Sequence, residues 1–132
     1  MRILIADDNA GVREGIAALI SSRPDWEVCG EAQDGPEAIE KTGALAPDVI
    51  LLDISMPGMS GLDAARIIRK ATGAKILVMS QHDPRVLAPR AKQVGAQGCL
   101  DKGNLSSELI PAIEALFRNP PPSETSETTE AS

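Results

Sequence analysis

Five polar residues stand where short apolar runs end, and their types suit one piece of chemistry. Asp7 and Asp8 follow Ile3–Ala6, Asp53 follows Val49–Leu52, Ser80 follows Ile76–Met79, and Lys102 follows a last short run around Gly98–Leu100. Three carboxylates sharing one site repel: a pair about 4 Å apart costs about 4 kcal/mol at an effective dielectric near 20. Protonation or a divalent cation relieves that. An all-oxygen donor set without a His or Cys cluster favours a hard ion, Mg²⁺ over Zn²⁺. A carboxylate beside such an ion, a lysine and a hydroxyl can attack a phosphoryl group, with the cation and the lysine neutralising charge on the transferring oxygens.

Each residue alone has a plainer reading. A single Asp at a strand end is ordinarily a cap, a terminal Ser a turn former, and a lone Lys a surface residue. Their joint occurrence carries the argument. His82, the only histidine, reads as a solvated loop residue near the site's mouth, and Met56, Met59 and Met79 read as packing.

The elements that must position these groups are legible as alternation. The first, third and fourth runs are continuously apolar, as parallel strands buried on both faces are, and a second strand falls at Val28–Ala32. Amphipathic stretches lie between them. Val12, Ile16, Leu19 and Ile20 share one helical face, and Leu109, Ile113, Leu116 and Phe117 repeat the spacing. Asn9 and Asp34 are placed as N-caps, with Pro36 near a first turn, while Gly61, Gly73 and Gly95 bracket helices. Strict strand–helix alternation predicts an open parallel α/β sheet. Right-handed crossovers give the order 2-1-3-4-5, so strands 1 and 3 are central neighbours. Ligands of such sheets bind beyond the carboxyl ends of the strands, where Asp7, Asp8 and Asp53 converge and Ser80 and Lys102 approach.

Composition narrows the function. The 132 residues suit one domain, and aromatics are 2%, with one Trp, one Phe and no Tyr. That deficit counts against modules that stack bases on aromatic platforms. The net charge is −6, of which residues 119–132 supply three Glu and no base, leaving 16 acids against 13 bases before them. Direct DNA binding is not expected from that balance. Cys29 and Cys99 sit in strand-like contexts and are expected to be reduced core thiols. No apolar run approaches the roughly 20 residues of a membrane span and no secretory leader is evident, so a cytoplasmic location is expected. Residues 119–132, NPPPSETSETTEAS, cannot bury a core and read as a disordered tail.

Residues 1 to about 118 resemble the receiver domain of two-component response regulators. The resemblance rests on Asp7-Asp8 after strand 1, on Asp53-Ile54-Ser55-Met56-Pro57-Gly58-Met59-Ser60-Gly61 as D-x-x-M-P-x-x-x-G, on Ser80, and on Gly95-Ala96 ahead of Lys102. It implies a flavodoxin-like (βα)5 three-layer sandwich, with a signalling switch rather than an enzyme as the function. It also implies that Asp53 accepts a phosphoryl group from a sensor histidine kinase or a histidine phosphotransfer protein. Mg²⁺ would be held by Asp8, Asp53 and the backbone carbonyl of Ser55, with Asp7 assisting through water, while Ser80 and Lys102 would contact the phosphoryl group.

Two departures refine the resemblance. Many receivers have a cis proline after the lysine. Gly103 stands there instead, as in receivers of nitrate-response-type regulators. A cis bond at a non-prolyl residue costs about 2.5–4 kcal/mol, so the Lys102–Gly103 bond is expected to be trans, with Gly103 supplying backbone freedom. Cys99 stands where the family commonly places a switching aromatic. Those regulators usually continue into a helix-turn-helix of some sixty residues, and no such module is expected here, about 14 residues following the last predicted helix. The expectation is therefore a single-domain response regulator signalling through protein–protein contacts to a downstream target. A phosphorelay intermediate or phosphate sink, or a receiver-like scaffold that is never phosphorylated, is the alternative. A homodimer through the fourth helix, fifth strand and fifth helix is a further expectation.

Two other classes fit less well. An aspartate-nucleophile phosphatase needs D-x-D, and Ser55 occupies the second acidic position. A flavin or nucleotide binder needs a Gly-rich phosphate loop after strand 1, where Asp7-Asp8 would repel phosphate. Pro89 falls in the middle of the predicted fourth helix. The helix can avoid it by starting near Ala88, which would leave Asp83–Leu87 as a loose loop.

Overall fold

In the computed structural model, which describes residues 1–117, strands and helices alternate without exception. They are β1 (Arg2–Ala6), α1 (Ala10–Ser21), β2 (Glu27–Ala32), α2 (Gly35–Leu45), β3 (Val49–Asp53), α3 (Gly61–Ala71), β4 (Lys75–Ser80), α4 (Pro84–Gln93), β5 (Gly98–Asp101) and α5 (Leu105–Phe117). A single 3₁₀ turn, Lys102–Asn104, joins β5 to α5. All strand pairs are parallel and the order is β2-β1-β3-β4-β5, as expected. The proposed tail, 119–132, lies outside the described residues.

The period-two geometry of a strand divides each apolar run between two cores. Leu4, Ile50, Leu52, Ile76 and Val78 face a core closed by Ala38, Leu62, Ala65, Ile68 and Ala91 of α2, α3 and α4. Ile3, Ile5, Val49, Leu51, Leu77 and Met79 face the other side, against Ile16 and Ile20 of α1 and Leu109 and Ile113 of α5. The continuous runs in β1, β3 and β4 are thus explained by burial on both faces. Cys29 and Cys99 are free thiols, half-buried on the two edge strands.

The caps follow the residue chemistry. The Asn9 side chain accepts from the Val12 amide at 3.1 Å, and Asp34 from the Glu37 amide at 2.8 Å. Ser60 accepts from the Asp63 amide and so starts α3. Each satisfies a backbone donor that the first helical turn leaves orphaned.

The fourth helix corrects the sequence reading. It begins at Pro84, not near Ala88, so Asp83–Leu87 is not a loose loop. Asp83 accepts from the Arg85 amide at 2.9 Å, and Pro84 takes a first-turn position where its missing N–H is no loss. This start signal outweighs Pro89, which stays inside the helix. The bond forfeited is the one residue 89 would donate to the Arg85 carbonyl. Arg85 and Pro89 are both exposed, so water can satisfy that carbonyl. Pro111 sits inside α5 in the same way, also on the exposed face.

Candidate functional site

The parallel sheet delivers its strand ends to one rim. β1 ends at Ala6, and the Asp7 amide still donates to the Ala32 carbonyl of β2 at 3.0 Å, which fixes the Asp7 backbone to the sheet. β3 ends on Asp53 itself, paired in register with Met79. The loop beyond it is tied twice. The Ile54 amide donates to the Met79 carbonyl at 3.0 Å, and the Gly61 amide donates to the Ile54 carbonyl at 2.9 Å. A Cβ on Gly61 would lie 2.1 Å from the Asp53 carbonyl oxygen, so α3 can start this close to Asp53 only from a glycine.

Lys102 comes from the opposite side. Asp101 accepts from the Gly103 amide at 2.8 Å and from the Asn104 side chain at 3.2 Å, forming the 3₁₀ turn that aims Lys102 back over the sheet. No peptide bond among the described residues is cis, so Lys102–Gly103 is trans, as reasoned from the missing proline. Gly103 does not use its conformational freedom, however. Only Gly58 and Gly95 among the glycines have positive φ. What residue 103 contributes is an N–H for Asp101, which a proline lacks.

These backbones converge three carboxylates and one ammonium. Carboxylate oxygens of Asp7, Asp8 and Asp53 lie within 4.8 Å of one another. Lys102 Nζ stands 2.8 Å from Asp7 Oδ2 and 3.3 Å from Asp53 Oδ2. Asp7 and Asp53 are buried, whereas Asp8 is exposed at the mouth. Asp53 Oδ1 accepts from the Ser55 amide at 3.1 Å, and Asp7 Oδ1 from the Asn9 amide at 2.9 Å. Asp7 Oδ2 is held by the Lys102 ammonium and by no other donor among the described residues. Asp8, Asn9, Val12, Asp53, Ser55, Gln81 and Lys102 line an open cavity of about 330 Å³.

Burial pushes the Asp53 carboxyl above the ordinary carboxylate range, against the Ser55 amide, and the neighbouring Asp7 charge adds to the rise. Lys102 is opposed by its own burial, yet the Asp7 and Asp53 carboxylates hold its ammonium above the usual lysine value. A pocket of three carboxylates against one ammonium, open at its mouth and lined by oxygen donors, fits a hard divalent cation.

Ser80 is placed differently from the others. It is buried at the end of β4, and its Oγ accepts from the His82 amide at 3.0 Å. It does not line the cavity, but the following residue, Gln81, does. Its hydroxyl donates no described hydrogen bond and so keeps a proton to offer. His82 is exposed. Sequence reasoning missed Gln81, whose only signal is its place one residue past a strand end. It also read Asn9 and Val12 solely as a cap and a helix face, although both line the cavity.

Comparison with known proteins agrees with this geometry. The family model described as "Response regulator receiver domain" matches residues 3–114. Response regulator UvrY of Escherichia coli O6:H1 is 36% identical over 118 residues, covering 89% of this chain and 54% of UvrY. Transcriptional regulatory protein LiaR of Bacillus subtilis is 37% identical over 122 residues, covering 92% of this chain and 58% of LiaR. The chain therefore spans about half the length of the curated relatives it matches. Among solved structures, the signal receiver domain of the response regulator NarL from Mycobacterium tuberculosis superposes with a TM-score of 0.81 at 36% identity, covering 87% of this chain and 94% of that one. With the sheet order, the acidic rim and the lysine turn already in place, the chain belongs to the receiver domains of two-component response regulators.

Proposed function

We propose that this receiver domain is a phosphorylation-dependent switch that takes a phosphoryl group on Asp53 from a histidine kinase or a histidine phosphotransfer protein. The observation that carries the reading is the state of Asp53. Its carboxylate is buried, yet it lines an open cavity with Asp8, Ser55 and Lys102. In the transfer, an Asp53 carboxylate oxygen bonds to phosphorus while the bond from phosphorus to the donor imidazole nitrogen breaks. Lys102 stands ready to pair with a phosphoryl oxygen, and Ser80 has a hydroxyl proton to donate to one. Asp7, Asp8, Asp53 and the Ser55 carbonyl would hold Mg²⁺. When bound, the cation supplies the positive charge that lets an anionic donor approach three carboxylates.

The output is read as a protein–protein contact by residues 1–118 acting as one unit, with the α4–β5–α5 face as the surface for a target or a second copy. Among the described residues no helix is long and apolar enough to cross a membrane, which accords with a cytoplasmic switch. Beryllofluoride, a stable mimic of the phosphoryl group, tests the site. With Mg²⁺ present, amide resonances of Asp53, Ser55, Ser80–His82 and Lys102 should shift first and most. Shifts scattered over the surface, or none, would contradict the reading.

A further inference from the structure

Among the described residues, Arg13 is the one basic residue that the site's chemistry leaves unused although it reaches the site's backbone. It lies in the first turns of α1 with its side chain only 12% exposed. Nη1 donates to the Asp7 carbonyl at 2.6 Å, and Nε donates to Glu31 Oε1 at 2.8 Å on β2. The Asp7 carbonyl lies past the last β1–β2 pair, Ala6↔Ala32, and the guanidinium is its hydrogen-bond partner there. The next peptide is held from its other side, because the Asn9 amide donates to Asp7 Oδ1 at 2.9 Å. Asp8 therefore stands between two fixed peptide units while its own carboxylate is exposed at the cavity mouth.

We infer that Arg13 is a positioning residue for cation capture: braced on Glu31, it fixes the Asp7–Asp8 peptide and so the direction from which the Asp8 carboxylate meets the cation. The inference rests on the reading of this pocket as a Mg²⁺ site. It requires a guanidinium, because two donors in one plane reach an acceptor just past the end of β1 and another on β2, which a lysine's point charge cannot reproduce. Groups that orient a metal's direct ligands characteristically change affinity by 10–100-fold when removed.

The sign of the effect separates this role from simple electrostatics. Arg13 is a positive charge beside a cation pocket, so through charge alone its loss would tighten Mg²⁺ binding. Through positioning, its loss weakens it. Calorimetric Mg²⁺ titration of the intact protein is the test, alongside amide spectra of the metal-free protein. Arg13→Ala should weaken Mg²⁺ about tenfold, and Arg13→Lys should weaken it nearly as much despite keeping the charge. Glu31→Asp, which keeps the charge but shortens the far end of the clamp, should give a smaller loss and keeps the test decisive if the Arg13 variants do not fold. The Asp8 and Asn9 amides should shift in all three without metal. Unchanged or tighter Mg²⁺ binding in Arg13→Lys and Glu31→Asp would overturn the positioning role alone. Absence of Mg²⁺ binding by the unsubstituted protein would overturn the pocket reading and this role with it.

Discussion

Asp53 and Lys102 answer in opposite directions when removed, because one is a surplus charge and the other its compensation. Burial holds the Asp53 carboxyl above its unfolded value, so the folded state prefers the protonated form. The resulting cost is absent below about pH 4 and grows as pH rises through the folded value. Asp53→Asn should therefore raise stability at pH 7 by about 1 kcal/mol in metal-free buffer, with the gain vanishing in acid. Lys102 keeps Asp7 as a partner in that variant. Lys102→Ala instead leaves two buried carboxylates uncompensated and should cost about 3–5 kcal/mol. Urea denaturation between pH 4 and 8 checks both signs. Gly61→Ala should damage the site from the backbone, since its Cβ would be driven into the Asp53 carbonyl. Reduced Mg²⁺ affinity together with lower stability is the expected pair of results.

At the scale of elements, legibility in the sequence depended on how many residues shared one signal. β1, β3 and β4 could be read because burial on both faces makes their central positions continuously apolar, and α1 and α2 because Asn9 and Asp34 mark their starts. The start of α4 was misplaced because two local rules conflicted. Pro89 argued against an early start, while Asp83-Pro84 specified one, and exposure of the Pro89 face let the start signal win. Pro89→Ala should restore a helical hydrogen bond and stabilise the protein by about 1–2 kcal/mol, less than the full helix penalty of proline because proline also restricts the unfolded chain. A loss of stability on that substitution would show that Pro89 shapes α4 rather than merely being tolerated. On the opposite face, Leu109 is fully buried against α1 and the sheet, and Leu109→Ala should cost about 2–5 kcal/mol.

For the molecule as a whole, sheet order was derivable because right-handed crossovers leave few alternatives, and the order alone brings Asp7, Asp8 and Asp53 together. The finer arrangement was not derivable. That Ser80 turns its oxygen to the His82 amide, that Gln81 lines the cavity, and that Arg13 braces Asp7 against Glu31 all depend on loop geometry no periodicity encodes. Cation binding should report on the whole fold through linkage. At ten times its dissociation constant, Mg²⁺ should stabilise the domain by about 1.4 kcal/mol, and the increment should shrink as pH falls and the carboxylates protonate. Phosphoryl acceptance by Asp53 is tested most directly by incubating the protein with Mg²⁺ and acetyl phosphate and mapping the product by peptide mass spectrometry. The account predicts one added phosphoryl group, located on Asp53 and absent from Asp53→Asn. Equal uptake by Asp53→Asn, or a phosphoryl group mapped to another residue, would contradict it.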